Sequence, residues 1–580
     1  MDTRDNKNNK SNLGTSFHML TRRDFLRLAS TGAVVIAGQS FLSACQEATS
    51  VVTNTPTTQA LGERVPTIVT TFVNQSEWIE FWTAEVSHFH SLGLELKLEP
   101  CEFNTCIEVM YDSKNYGDIM SINWSGREER IDPSFFLTEM FHSSKIEGGG
   151  LNAEKYINKD YDVLVEQQAE ESDQKKRQEL VWECQKIIER DTPIYVLVFQ
   201  DIIHAYNSKN WKGVVPRTGA GIAGTSSVWT YINIEPLSAQ KELRVGWLSE
   251  PVTLNPVAHK DTVEHIAMLR FIYDTYVKLN ADLEVVPWAA ESWNWVDDKT
   301  LDIVLRENMK FHDGIPVTVE DVKFTFDYIK KWQFGVWTQV TDHIDNVEIV
   351  GDNKIRFYLP NPYPPFIQNV LTYAVILPKH IWEKVPEGVN IDIPDNWEPM
   401  EQSIGSGFYK FGYWNRGQEV YLAANKEHWS APKVDGVHFV TVPSLEGLLG
   451  KLETQELDMV FAQITPTDGE RLEKLGYITA VKTPNHGFFE SNADLSKKPF
   501  SDLQFRLAID HILDRDMILN DVFGGAGTLP RGGSPITPAN KYWHNPNLSA
   551  VEFNIDTAKQ ILREAGYGWD TEGNLHYPKV

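Results

Sequence analysis

The sequence predicts an α/β protein built in two or three lobes. Three observations carry this. Short β-branched or apolar runs alternate with stretches of helical periodicity along most of the chain. Residues 66–580 are too many for one hydrophobic core and divide naturally into several. Residues 46–65 are Thr-rich, with few bulky apolar groups, so they read as a flexible tether ahead of the folded part.

Residues 67–73 (TIVTTFV) predict a strand. Residues 76–92 carry Ile79, Trp82, Val86 and Phe89 at spacings of three and four, one face of a helix ended by Gly93. A strand is expected at 94–98, a short helix at 105–111 and a strand at 118–123 leading into Trp124. Residues 160–190 predict two helices, the second with Leu180, Cys184, Ile187 and Ile188 on one face. Pro193 stops it, and 194–199 (IYVLVF) suits a strand buried on both sides. Residues 205–234 read as turn-rich, then strand-like at 229–234, and 237–241 (LSAQK) reads as a joint. A second start follows: a strand at 242–247, a loop at 251–256 and helical periodicity over 263–277. Thr318 caps a helix with Glu320 and Asp321 at its positive end and Val322, Phe326 and Ile329 on its apolar face. Asp502 starts a helix with Phe505, Ala508, Ile509 and Ile512 on one face, and Asp556 starts another, closed by Gly566.

The N-terminus reads as an address. Residues 21–26 (TRRDFL) match the twin-arginine export pattern, and the apolar stretch 28–42 is too short and dilute to span a membrane. Leu42-Ser43-Ala44-Cys45 matches a lipobox, in which Cys45 would receive lipid; the bland alternative is a cleaved signal with a chance Cys. Residues 1–45 are therefore expected to be a lipoprotein signal, and the folded part to lie outside the cytoplasm on a membrane anchor. The net charge of −26 excludes nucleic acid as a partner class and broad adhesion to anionic lipid. Cys101 and Cys106 could bridge in an oxidising compartment, though export of a prefolded chain would also allow a reduced pair; Cys184 is left over.

No nucleophile elbow, zinc-protease helix, phosphate loop or dinucleotide fingerprint is present, so the sequence predicts neither an enzyme nor a cofactor. His88 and His90, or His312 beside Asp313, could ligate a metal in principle, but their spacing favours structural roles, and no metal is expected.

Residues 290–326 (AESWNWVDDKTLDIVLRENMKFHDGIPVTVEDVKFTF) resemble the signature of the family 5 extracellular solute-binding proteins, the peptide, nickel and opine receptors of ABC importers. PVTLNP, NPYPPF, ILPKHIW, GSGFYKFGYW and SNADLSKKPFSDLQFRLAIDHILDRDMI extend the resemblance through 242–580 in the family's order. Residues 66–236, with SINWSGREERIDPSFF, resemble the family's last third, so the chain reads as a circular permutation. A domain-swapped dimer and a fusion of two incomplete copies are the alternatives.

The resemblance implies a two-lobed periplasmic-binding-protein-like fold (type II) with mixed sheets and a ligand cleft between lobes. In permuted order, 66–195 would form part of lobe 2, 196–240 the return to lobe 1 and the joint, 241–485 lobe 1, and 486–580 the rest of lobe 2. Trp124 and Arg127 follow a strand end, where such clefts form. Peptide-binding relatives carry an Asp soon after the matching Trp, whereas here Arg127 stands there, a residue suited to a carboxylate or phosphate. Arg531, flanked by Gly532 and Gly533, is a second anion anchor. Asp132, Glu250, Thr253 and Phe488 complete the expected ligand contacts, while Trp414 is expected in the core. The implied role is capture of a peptide-like or small anionic solute by hinge closure, with ABC permease and ATPase subunits as partners. The rivals are a cleft hydrolase of glycosidase or peptidase type using Asp132 and Glu128, and a solute-sensing or adhesion lipoprotein without transport.

Overall fold

The structure, a computed structural model, describes residues 61–579 apart from 148–149, 225–226, 259–262, 335–336, 386–396 and 398–402. The twin-arginine motif, Cys45 and the tether up to residue 60 lie outside the described residues.

Strands from both ends of the sequence build each of two large sheets. The six-stranded sheet runs in the order Leu96–Cys101, Ile68–Val73, Ile119–Asn123, Phe489–Ala493, Ile194–Gln200, Gly527–Thr528. Its first three strands are parallel, and Phe489–Ala493 inserts antiparallel between Ile119–Asn123 and Ile194–Gln200. The seven-stranded sheet runs Tyr409–Asn415, Glu419–Ala424, Gly436–Thr441, Glu242–Trp247, Met459–Phe461, Ile202–Asn207, Ile478–Thr483. A four-stranded antiparallel sheet of Ala290–Asp297, Thr300–Leu305, Lys354–Tyr358 and Asn346–Gly351 shares the hydrophobic core of the seven-stranded one. The six-stranded sheet has a separate core, so the apolar interior is divided between two lobes.

Two crossings join the lobes. Strand Ile194–Gln200 ends one residue before Ile202–Asn207 enters the other sheet, and Ile478–Thr483 returns through residues 484–488 into Phe489–Ala493. The crossings lie side by side, with Thr483 opposite Ile202 and Phe489 opposite Val198. All of 194–199 is buried, as its unbroken apolar run requires of a central strand.

Caps explain most helix boundaries. Asn158 and Asp173 start Lys159–Glu170 and Gln174–Asp191, and Thr192, with φ 43°, ends the second before Pro193. The backbone N–H of Thr318 donates to Asp321 at the head of Val319–Trp332. Asp502 caps Leu503–Asp510, whose Phe505, Ala508 and Ile509 are buried.

Several expectations need correction. Residues 228–233 form a helix, not a strand, and Ala205 already lies in strand Ile202–Asn207. The β-branched and aromatic content of 228–233 reflects burial of Val228, Tyr231 and Ile232 rather than sheet pairing. The helix expected over 263–277 ends at Ile272, and Val277–Leu279 is a strand. Asn554, not Asp556, caps Ile555–Glu564, accepting from the Thr557 N–H at 2.9 Å. In Ser76–Ser91 the buried face is Trp78, Phe81, Trp82, Glu85 and Phe89, leaving Ile79 43% exposed and Val86 half-buried. Four aromatic side chains offer more area to bury than Ile79 and Val86, and they set the helix's rotation. In Gln174–Asp191 the buried face likewise runs through Arg177, Val181, Cys184 and Ile188, with Leu180 and Ile187 half-buried.

Cys101 and Cys106 are joined by a disulfide, and Cys184 is a buried free thiol. Backbone pairing starts ahead of residue 66: Gly62 N–H donates to Tyr577 O at 3.0 Å, Val65 N–H to Leu575 O at 2.8 Å, and Tyr577 N–H to Glu63 O at 2.9 Å. The two ends of the described chain are thus stitched to each other.

A buried ion pair fixes the segment after Ile119–Asn123. Arg177 donates to both oxygens of Asp132 at 2.7 and 2.8 Å, to Gln168 O at 3.0 Å and to Ser134 Oγ at 2.8 Å, and its guanidinium lies 4.8 Å over the Trp543 ring. Removing one partner strands a charge in the interior. Arg177→Met is therefore expected to lower unfolding free energy by roughly 3–5 kcal/mol in urea titration, and adding Asp132→Leu to recover part of that loss.

Candidate ligand cleft

The cleft is built where the segment after strand Ile119–Asn123 meets the opposite lobe. Trp124 leaves the strand with its N–H on Phe488 O at 2.8 Å and its indole Nε1–H on Glu490 Oε1 at 2.8 Å. Phe135 and Phe136 pack edge-on against its ring, and the Arg130 guanidinium lies 4.8 Å over it, tied to Ser125 O at 2.7 Å. Gly126 is required by close approach: a Cβ there would stand 2.1 Å from Asn485 Oδ1 in the second crossing. Half-buried Arg127 follows, its carbonyl accepting from His486 Nε2 at 2.8 Å. Burial pushes the His486 ring down to about 4, so it is neutral and uses its one N–H on that carbonyl.

Glu128 then reaches the other lobe. Its carboxylate pairs with Arg217 Nη2 at 3.0 Å, from the chain that follows the first crossing, and with Arg270 of helix Val263–Ile272. Lys278, Thr275 and Thr372 line the gap around the pair. Burial raises the Glu128 carboxyl, but Arg270, Arg217 and Lys278 together outweigh it and hold it below the usual glutamate range. Burial also drops the Lys278 ammonium to about 8, countered by Asp274 and Glu128, and its Nζ lies 4.7 Å over the Trp288 ring. The result is a carboxylate from one lobe held in a basic recess of the other.

The remaining expected contacts lie elsewhere. Asp132 is consumed by Arg177 and by the Ser134 N–H, so it holds the segment from behind. Together with the arginine-bound Glu128, that leaves the proposed hydrolytic carboxylate pair committed to guanidinium groups. Phe488 is 1% exposed and packs on Phe136 and Phe199 at the crossing. Glu250 accepts from Trp414 Nε1–H and Gly417 N–H, both at 2.8 Å, and pins the hairpin of Tyr409–Asn415 and Glu419–Ala424. Trp414 is 7% exposed, as expected of a core residue. Thr253 is buried and its Oγ accepts from the Asn255 N–H at 3.0 Å. Arg531 is exposed, on a loop that packs on Glu189 through Gly532, and it makes no hydrogen bond or ion pair with Trp124, Arg127 or Glu128. His88 pairs with Glu85 and His90 with Glu95, while His312 bonds to Gly407 O and Asp313 to His380.

Sequence reasoning missed Arg217, Arg270, Lys278, His486 and Glu490. A faint signal existed: Arg270 and Lys278 each interrupt an apolar run (AMLRFI, YVKL) and Glu490 ends one (GFFE), where a charge must find a buried partner.

Residues 284–579 match the model of the family described as bacterial extracellular solute-binding proteins, family 5 Middle. The oligopeptide-binding protein AppA of Bacillus subtilis is 29% identical over 343 residues, covering 57% of this chain and 60% of that protein. The dipeptide-binding protein of Escherichia coli is 25% identical over 311 residues, covering 49% and 55%, and the nickel-binding periplasmic protein of the same organism 23% over 340 residues, covering 57% and 62%. The chain thus spans between 55% and 62% of the length of these curated relatives. The solved structure of Bacillus subtilis AppA with a nonapeptide aligns at a TM-score of 0.43 and 26% identity, over 59% of this chain and 67% of that one. With the family model matched over half of its length, the chain belongs to the family 5 bacterial extracellular solute-binding proteins.

Proposed function

We propose that this chain is the solute-capturing component of an ABC importer, closing two lobes on a peptide-like or small anionic solute with no chemical step. The observation that carries this is Glu128: two cores, joined by two adjacent crossings, meet through a carboxylate of one lobe paired with Arg270 of the other. Such a contact forms when lobes close and breaks when they open, which is how a hinged receptor couples binding to shape. The relatives named for oligopeptide, dipeptide and nickel binding support the receptor class and leave the solute open.

In this reading Trp124 and Arg127 form the cleft wall. Asp132, Phe488, Glu250 and Thr253 hold the walls in place, and Arg531 is a peripheral anion contact. We place the protein outside the cytoplasm, exported by its twin-arginine signal and anchored through lipidated Cys45, with permease and ATPase subunits as membrane partners. The chain order is a permutation of the family's, with 66–236 supplying what relatives carry last. Two facts support that order: the family match leaves 66–236 outside it, and residues 62–65 pair with 575–577 within one chain.

Native mass spectrometry of the full chain purified from its own host tests the proposal. One copy carrying one small solute, released on unfolding, is expected. A solute-free protein that turns over small glycosides or peptides would overturn it in favour of the hydrolase. If Arg127 contacts an anionic solute directly, Arg127→Ala weakens binding by more than roughly tenfold in calorimetry, the range of a charge-assisted pair. An unchanged affinity removes that assignment.

A further inference from the structure

In the lobe of the seven-stranded sheet, three tryptophans meet around a cavity of about 440 Å³. Trp229 comes from helix Val228–Asn233, Trp288 directly follows strand Val285–Pro287, and Trp429 lies in the loop after Glu419–Ala424. That volume falls in the range of small-molecule sites, roughly 300–1,000 Å³. Trp229 and Trp288 stand edge to face at 5.8 Å and 89°, and Trp288 and Trp429 lie 5.5 Å apart at 57°. Two of the rings are fixed through their N–H groups: Trp229 Nε1–H donates to Leu279 O and Trp288 Nε1–H to Asp274 Oδ1, both at 2.7 Å. Trp288 is 3% exposed, whereas Trp429 is 38% exposed. Indole surface left in water forfeits burial free energy that a stacked ligand would recover.

Arg306 sets the polar edge of the cavity. Its Nε–H donates to Trp288 O at 2.9 Å and its guanidinium lies 5.2 Å over the Trp429 ring, so the fork is held in place. Among the described residues, its Nη1 and Nη2 have no hydrogen-bond or ion-pair partner. Such a fork matches the two oxygens of a carboxylate. Asn233 gives its Nδ2 to Trp229 O at 2.9 Å, and neither its Oδ1 nor the Ser430 hydroxyl has a partner among the described residues. An amide oxygen and a hydroxyl are the complement of ligand hydroxyl groups. The cavity is separate from the recess around Glu128, with which its lining shares no residue. The two share a wall: Val228, next to Trp229, lines the recess, and Lys278 Nζ lies 4.7 Å over the Trp288 ring.

We propose that Trp229, Trp288, Trp429 and Arg306 form a second binding site, outside the cleft, for a pyranose sugar bearing a carboxylate, a hexuronate. The CH face of such a ring packs on an indole, its carboxylate pairs with the Arg306 fork, and its hydroxyls meet Asn233 and Ser430. An aromatic acid would use the rings and the fork but leave Asn233 and Ser430 unpaired. A neutral sugar would stack and leave the fork unpaired. The site goes beyond the receptor reading and stands whether or not the cleft captures a solute.

The test is calorimetry on the full chain with trigalacturonate as the probe, maltotriose as the neutral sugar and benzoate as a ring carboxylate without hydroxyls, at matched ionic strength. It is read on wild type, on Trp429→Ala and on Arg306→Lys, with Ser430→Ala in reserve should either fold poorly. The expected result is one equivalent of trigalacturonate on wild type, with maltotriose and benzoate at least roughly tenfold weaker. Trp429→Ala is expected to lose at least roughly tenfold in trigalacturonate affinity, Arg306→Lys to narrow the gap between acidic and neutral sugar, and Ser430→Ala to weaken binding. No binding of trigalacturonate, or binding that persists unchanged in every folded variant, would overturn the proposal. Benzoate binding as tightly as trigalacturonate would overturn the sugar assignment, and maltotriose doing so would overturn the carboxylate.

Discussion

Everything in this molecule depends on one constraint: neither large sheet can be completed from one part of the sequence. Phe489–Ala493 inserts between Ile119–Asn123 and Ile194–Gln200, and Ile202–Asn207 inserts between Met459–Phe461 and Ile478–Thr483. Each insertion satisfies backbone donors and acceptors on both edges of its neighbours, so removing it would expose two unpaired strand edges in a buried sheet. The same interleaving sets both crossings side by side. Both crossings pass through adjacent strands, so a narrow two-stranded waist joins the lobes, as the proposed closure requires.

Two buried charge arrangements serve different ends. On the lobe of the six-stranded sheet, the buried Asp132–Arg177 pair, with Ser134 and Gln168 around it, makes the segment beyond Trp124 rigid. The same segment then presents Glu128 to Arg217 and Arg270. A rigid support and a cross-lobe ion pair are different devices. The first is sealed within one lobe, while the second joins a carboxylate of one lobe to the recess of the other. In a desolvated cleft such a pair is stronger than on a surface, and leaving either side unpaired is costly. Under the proposed closure, Glu128 biases the closed form with the same chemistry a carboxylate-bearing solute would bring.

Much of the scaffold was legible in the sequence, for reasons that can be named. An unbroken run such as IYVLVF has one stable location, a strand covered on both faces, and 194–199 is buried throughout. Thr318 and Asp502 announced helix starts because capping chemistry is local. Residues 228–233 misled because a β-branched and aromatic run reports burial, and a short buried helix satisfies it as well as a strand. The motifs around residues 290–326 carried the family, to which the match over 284–579 assigns the chain. The site was only half legible. Trp124 and Arg127 could be placed by their position after a strand. Nothing local to Glu128 says that its partners lie 89 and 142 residues away, at Arg217 and Arg270. Asp132 looked like a cleft acid for the same reason: a carboxylate's role is set by the guanidinium that finds it, and Arg177 is remote in sequence.

The most direct measurement is the distance between spin labels placed on exposed Val163 of one lobe and Val296 of the other, 54% and 49% exposed, in wild type and in Glu128→Gln. The account predicts one short, narrow distance within a single chain for wild type, giving way to a longer and broader distribution when the carboxylate loses its charge. An identical distribution in both proteins, or a distance that appears only between chains, would contradict it.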